Sequence, residues 1–192
     1  MYRFNKLMVA MDFSASDHSV LAYASHIARL ADSAKVYFVH VAENFELPDE
    51  IRVQYPSLIE PLDEYALKRM KELTALFFSD HENIDLIFEV GEGEQVSNLL
   101  HLIKIKDIDL VLVAKPASNL NDNSLGEKLA RKTPCSVLIV PDATKPIYSS
   151  ITLACDFSSN SLDAMDVART ILFAYQQPQE VSIREIVVTP TY

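Results

Sequence analysis

The chain has 192 residues, 49% of them hydrophobic, so it is long enough to bury a sizeable core in one domain, or in one domain and part of another. Acidic residues outnumber basic residues, 27 against 17, and the net charge of −10 argues against nucleic acid as a partner because it repels a phosphate backbone. The apolar runs, of about five to eight residues, are too short for a membrane span and no secretion signal is recognised, so we expect a cytoplasmic protein with no membrane partner.

Apolar runs rich in β-branched residues alternate with segments of helical period, which is typical of parallel strands joined by crossover helices. The pattern predicts strands over 6–12, 35–42, 84–90, 107–114 and 135–141. It predicts helices over about 16–30, 62–78, 94–105 and 124–132, and an acidic loop with three prolines over 43–61. Five strands with four crossovers predict a doubly wound α/β domain over residues 1–144.

Two of the predicted helices carry finer signals. In the 62–78 helix, apolar residues at helical spacing predict one buried face, formed by Leu62, Tyr65, Ala66, Met70, Leu73, Leu76 and Phe77. In the 124–132 helix, Ser124 at the N-cap and Glu127 three residues later predict a capping box.

After residue 144 the sequence begins to repeat its own N-terminus. Residues 154–158, ACDFS, match residues 10–14, AMDFS, at four of five positions, and both stretches end an apolar run and precede a helical pattern. The repeat predicts a partial β-α-β unit, which cannot bury both faces of its sheet alone. We therefore expect residues 145–192 to be the start of a second, truncated domain that leans on the first domain, on another chain or on further sequence.

Four segments, in their order and spacing, resemble the universal stress protein family, the UspA family. They are LMVAMDFSASDHSVLAYASHIA, VYFVHV, VGEGEQVSNLLHLIKIKDIDLVLVA and LARKTPCSVLIVP, and the resemblance that they carry extends over residues 4 to 141. The resemblance implies a Rossmann-like, adenine nucleotide alpha hydrolase-like fold, with a five-stranded parallel sheet in the order 3-2-1-4-5 and helices on both faces. Together with the partial repeat, it implies a tandem member of the family. Such a sheet leaves a ligand crevice where its strand order reverses, between strands 1 and 4.

The resemblance also places candidate ligand residues around this crevice. They are Asp12, Phe13, Ser14, Val41, Ala114, Lys115, Ala117, Asn123 and Ser124. In nucleotide-binding relatives the acid that matches Asp12 contacts the adenine or its ribose region, and the backbone at the position of Val41 faces the base. From the residues alone, Asp12, Ser14 and Ser16 are equally suited to capping the helix that follows, so both interpretations stay open.

The phosphate loop departs from the family's pattern. Relatives that bind ATP carry Gly-x-x-Gly, nine residues, then Gly-Ser or Gly-Thr, and the matching positions here are Ala114, Ala117, Asn123 and Ser124, with a loop four residues shorter. Because glycine lets backbone N–H groups approach a phosphate, we expect a degenerate ATP-binding motif and no cofactor. The alternative is an ATP or AMP site in which side chains such as Lys115 and Ser124 replace the lost backbone contacts.

No pattern in the sequence predicts catalysis or a metal. Five histidines are scattered, and we expect His40, inside a strand, to be a hydrogen-bonded core or interface residue. Cys135 and Cys155 lie in apolar runs without metal-ligand spacing. We therefore expect a regulatory stress-response protein that is not an enzyme. Its family suggests a homodimer that pairs through strand 135–141, with protein partners that the sequence does not identify.

Overall fold

The computed structural model describes residues 4–42, 62–79, 83–115 and 124–146, which lie within one compact unit, Arg3–Pro146. Its strands are β1 (Lys6–Met11), β2 (Lys35–Ala42), β3 (Asp85–Glu92), β4 (Leu110–Lys115) and β5 (Ser136–Pro141). Its helices are α1 (Asp17–Ala31), α2 (Leu62–Phe78), α3 (Gln95–Lys106) and α4 (Leu125–Lys132). The predicted loop over 43–61 and the predicted β-α-β unit after residue 146 lie outside the described residues.

The five strands form one sheet, in which every pair is parallel and the order is β3-β2-β1-β4-β5. This arrangement confirms the predicted fold. The chain builds outward from β1 through β2 to β3, then returns to add β4 and β5 on the other side of β1. The order therefore reverses between β1 and β4, which is where the carboxyl ends of the strands leave a crevice.

Helices cover both faces of the sheet, and this explains why the inner strands are apolar at almost every position. Met8 of β1 belongs to the core on the face covered by α3 and α4, where it is fully buried with Leu99 and Leu129. On the opposite face, the ring of Phe38 packs against the ring of Phe78 from α2, with centroids 5.3 Å apart. Within the described part of the chain, no helix has the length and apolar character that a bilayer span requires.

Two strand boundaries differ from the prediction by two residues or more, each because of backbone hydrogen bonding. β4 begins at Leu110 and not at residue 107, because Asp107 ends α3 in a left-handed conformation with φ of 57°. β3 continues past the predicted end at residue 90, since Gly91 pairs with Val41 in the parallel ladder. The ladder between β2 and β3 is thus two residue pairs longer at its carboxyl end than the sequence indicated.

The predicted buried face of α2 is partly wrong. Tyr65 and Leu76 are 63% and 67% exposed, whereas Ala66, Met70 and Leu73 are buried as predicted. The helix packs through a narrower stripe than its apolar residues suggest, and that stripe also takes in the polar Thr74 and, at the end of the helix, Phe78. Helical spacing gave the correct period here, but it overestimated the width of the buried face.

Candidate functional site

The candidate residues that the structure describes come from the carboxyl ends of three neighbouring strands. Asp12, Phe13 and Ser14 follow β1, and Val41 is the next-to-last residue of β2. Ala114 and Lys115 end β4, and Ser124 immediately precedes α4. Ala117 and Asn123 lie outside the described residues. The topology thus brings the described candidates to the same edge of the sheet, at its reversal point.

Asp12 closes the turn after β1 and leaves its side chain exposed. Its Oδ1 atom accepts a hydrogen bond of 2.9 Å from the Ser14 backbone N–H, which is the usual way for an aspartate to stabilise a turn. The bond is made within the loop and not to a helical N–H group. Ser16, at the N-cap position of α1, has helical backbone angles and no side-chain capping bond, so the predicted cap by Ser16 is wrong. Asp12 combines a local structural role with access to solvent.

Asp17 is a residue of this site that sequence reasoning missed. It is the first residue of α1, and only 1% of its surface is exposed. Its carboxylate accepts hydrogen bonds from the backbone N–H of Phe13 at 2.9 Å and of Asp12 at 3.4 Å. Burial, and next the nearby charge of Asp12, raise the pKa of the Asp17 carboxyl from 3.8 to about 7. The signal in the sequence was an aspartate five residues after Asp12 at the start of an apolar helix.

Phe13 connects this turn to β2. It has φ of 61°, a left-handed conformation that is uncommon for residues other than glycine. Its ring lies on the imidazole of His40, with centroids 4.3 Å apart and planes inclined by 35°. His40 Nδ1 is 2.9 Å from the Met11 carbonyl oxygen, and its residue is half-buried in β2. The prediction of a hydrogen-bonded histidine in the strand is confirmed, and the histidine also supports the aromatic wall of the crevice.

On the other side of the crevice, β4 ends in an ordinary strand. Ala114 pairs with Val140 of β5 and Lys115 pairs with Pro141. Ala114 is half-buried, and Lys115 is exposed. The first position of the family's glycine pattern is therefore a ladder residue that carries a Cβ.

Ser124 and Gly126 fix the start of α4. The Ser124 Oγ atom accepts a hydrogen bond of 3.4 Å from the Glu127 N–H, which confirms the N-cap half of the predicted capping box. The return half is absent in the described residues, where Glu127 Oε2 is buried and has no hydrogen-bond partner. A Cβ at Gly126 would stand 2.8 Å from Ile139 Cγ1, so the helix approaches β5 closely because this residue has no side chain.

The ionisable groups of the site do not form a metal centre. Across the described ranges, no three His, Cys, Asp or Glu side chains come together as a metal ion would require. What the site offers is a pair of neighbouring carboxyl groups, Asp12 and Asp17, an aromatic surface made by Phe13, and the Lys115 ammonium group at the end of β4. Such a set can bind a ligand through hydrogen bonds and ring contact.

Comparison with known proteins gives one family and one fold. A family model described as the universal stress protein family matches residues 3–141. No curated protein matches the chain. The universal stress protein UspA from Lactobacillus plantarum is similar in structure, with a TM-score of 0.60 and 17% identity over 72% of this chain and 98% of that one.

Two further solved structures show the same likeness. The hypothetical protein MJ0577 has a TM-score of 0.59 and 19% identity, over 76% of this chain and 99% of that one. A universal stress protein solved in complex with cAMP has a TM-score of 0.50 and 19% identity, over 73% of this chain and 99% of that one. At these identities the likeness concerns the fold.

Proposed function

The chain belongs to the universal stress protein family, and from that premise we propose that it is a regulatory stress-response protein which does not bind ATP in the usual way and is not an enzyme. The observation that carries this proposal is the place of Ala114. At the first glycine position of the family's phosphate loop, the chain has a residue with a Cβ that is paired in the sheet with Val140. A backbone held in this way has less freedom to turn its N–H groups toward a phosphate.

Two features of the described site support the proposal. Ser124, at the last position of the glycine pattern, uses its hydroxyl oxygen to cap α4, so a phosphate would compete with that oxygen for the Glu127 N–H. The Asp12 carboxylate, joined by that of Asp17 above its pKa of about 7, brings negative charge to the crevice, which disfavours a ligand with several phosphate charges. Both effects weaken the binding of ATP more than the binding of a ligand with fewer phosphate charges.

Calorimetry with ATP, ADP and AMP at millimolar concentration tests the proposal. We expect no saturable heat for ATP with the unmodified protein. Saturable heat for ATP that disappears in Asp12→Ala would contradict it, because the family's acid would then be acting on a bound nucleotide. Lys132→Ala, on the exposed end of α4, serves as a matched control for a change of charge away from the crevice.

The alternative function is nucleotide binding with slow hydrolysis or none. One observation favours it, namely the exposed Asp12 carboxylate beside the aromatic surface of Phe13 and His40, which together suit a base and ribose. A fold neighbour has been solved in complex with cAMP. A monophosphate needs fewer backbone N–H groups than a triphosphate, so this alternative predicts saturable heat with ATP or AMP, and tighter binding of AMP.

The assembly is part of the same proposal. β5 lies at one end of the described sheet, and Val137, Leu138 and Ile139 within it are half-buried, so its edge and apolar side chains suit pairing with a second copy. We propose a cytoplasmic homodimer of tandem type, with residues 145–192 belonging to a second domain. Native mass spectrometry would test this, since a monomer at micromolar concentration would contradict the dimer. Replacing Leu138 by Lys should shift the mass toward monomer, whereas Lys115→Ala should not.

A further inference from the structure

The β1–α1 turn contains a buried acid that has no basic partner among the described residues. Asp17 is 1% exposed, and its hydrogen-bond partners among the described residues are two main-chain N–H groups of the preceding turn. Burying a carboxyl group without a cation is costly, so a residue that keeps one in such a place calls for an explanation. A helix that starts with a short polar residue needs no buried carboxyl group, since an exposed N-cap suffices.

We propose that Asp17 is a positioning residue of the crevice, whose carboxyl group holds the Asp12–Phe13 main chain in place and whose protonation state decides how the Asp12 carboxylate is presented to a ligand. This inference rests on the nucleotide-binding alternative given under the proposed function in one respect, that the crevice beside β1 and β2 is where the chain meets its ligand. It adds a regulation of that site by protons.

The conformation of Phe13 shows why the turn needs such a residue. A side chain at φ of 61° is disfavoured by contact between Cβ and the backbone, and the residue does not adopt it without help. The Asp17 carboxylate supplies that help through the 2.9 Å bond to the Phe13 N–H, and the ring contact with His40 supplies it from β2. The same turn carries Asp12 to its exposed position at the crevice.

The two protonation states of Asp17 differ in what they do to Asp12. As a carboxylate, Asp17 accepts charge-assisted hydrogen bonds from both N–H groups and repels the Asp12 carboxylate toward solvent. As a carboxylic acid, it keeps one oxygen for the Phe13 N–H and is stabilised by a hydrogen bond with the Asp12 side chain. The crevice thus presents two negative charges and an available Asp12 in the first state, and one charge and an occupied Asp12 in the second.

In the described part of the chain, the other ionisable groups around the turn do not replace Asp12 as the partner of Asp17. His40 of β2 lies against the Phe13 ring and is bonded through Nδ1 to Met11 O. His18, next along α1, is exposed and packs edge-on against Phe77 of α2. Lys115 at the end of β4 is exposed, and β5 contains no ionisable side chain. The pKa of Asp17, raised to about 7 by burial and by Asp12, places the change between the two states near neutral pH.

Amide NMR of the ligand-free protein between pH 5 and 9 tests the proposal. We expect the Phe13 amide to shift with a midpoint of about 7, and the Ala24 amide, buried in the middle of α1, to show no such transition. Asp17→Asn should abolish the transition while keeping hydrogen exchange at Phe13 within about threefold of the unmodified protein, because an amide oxygen still accepts. Asp12→Asn should lower the midpoint, since it removes the neighbouring charge.

Asp17→Ala separates positioning from general stability. It should speed hydrogen exchange at the Phe13 amide by about tenfold while Ala24 stays unchanged, because a single local bond is lost. A transition at Phe13 that persists in Asp17→Asn would overturn the proposal, as would unchanged exchange at Phe13 in Asp17→Ala. If Asp17→Ala fails to fold, the Asp17→Asn comparison decides alone. These measurements use no ligand, so their failure is distinct from a failure of the ATP calorimetry.

Discussion

The carboxyl ends of β1 and β4 lie at the same edge of the sheet, and their described residues are built differently. The turn after β1 is specialised, with a left-handed Phe13, a buried Asp17 and an aromatic contact with His40. The strand end after β4 is ordinary, with Ala114 and Lys115 in regular pairing with β5. The difference indicates that the β1 side of the crevice is elaborated, whereas Ala114 and Lys115, the last described residues on the β4 side, stay in regular strand pairing. We therefore regard the β1–α1 turn as the part of the crevice on which function depends.

The largest expected effect comes from the buried acid of the first turn. Because the pKa of Asp17 rises from 3.8 to about 7 on folding, the folded state binds the proton more tightly than the unfolded state. Stability contributed by this group is therefore full below pH 4 and falls as the pH rises toward 7, by about 4 kcal/mol for a shift of this size. Asp17→Asn should remove this pH dependence and unfold at higher urea concentration than the unmodified protein at pH 8.

The result is read from urea unfolding at pH 5 and pH 8. Asp12→Asn is the matched control, since it lies on the exposed side of the same turn and should reduce the slope without abolishing it. A difference between pH 5 and pH 8 that is the same in Asp17→Asn as in the unmodified protein would show that Asp17 does not carry a buried charge.

The next effect concerns Gly126 at the start of α4, where the helix packs closely on β4 and β5. A methyl group at Gly126 would meet Ile139 Cγ1 at 2.8 Å and Val113 Cγ2 at 3.0 Å, so α4 must move away from the sheet or the side chains must repack. We expect Gly126→Ala to lower the free energy of unfolding by about 1–3 kcal/mol, as overpacking usually does. Thermal unfolding measures it. Lys132→Ala, exposed on the same helix, should change little, and equal stability of both variants would mean that α4 does not need its close approach.

The smallest effect is in the stability of a glycine variant relative to an alanine variant, which should have opposite signs at positions 13 and 115. At position 13 the left-handed conformation favours glycine, so Phe13→Gly should be more stable than Phe13→Ala by about 1 kcal/mol, since both variants lose the ring. At position 115 the strand disfavours glycine, so Lys115→Gly should be less stable than Lys115→Ala by about 0.5–1 kcal/mol. The same order of stability of the glycine and alanine variants at both positions would contradict the contrast between the ends of β1 and β4.

The sequence predicted the architecture well because the buried faces of strands and helices require apolar residues at regular spacing. β2 and α2 were predicted with the bounds that the structure has, 35–42 and 62–78, and the strand order followed from the family resemblance. Boundaries failed where a single hydrogen bond decides. Asp107 reads as the start of a strand, yet it ends α3 in a left-handed conformation, which no apolar pattern reveals.

The candidate site was predicted only in part, because the sequence gives the position of an acid but not its burial. Asp12 was predicted from the resemblance, and its exposed place at the crevice agrees with that role while its bond to Ser14 agrees with the structural alternative. Asp17 was read as a helix start, since an acid in a first turn is usually exposed. Its carboxylate accepts hydrogen bonds from the Asp12 and Phe13 N–H groups, and no apolar pattern reveals such contacts.

The ATP affinity of a glycine-restored variant tests the central claim most directly. The variant Ala114→Gly, Ala117→Gly, Asn123→Gly restores glycine at the three glycine positions of the family's phosphate loop. Calorimetry at millimolar ATP compares this variant with the unmodified protein. We predict no saturable heat for the unmodified protein and an appreciable gain for the variant. Saturable heat of equal size in both proteins would contradict the claim that side chains at the reversal of the sheet keep ATP from binding in the usual way.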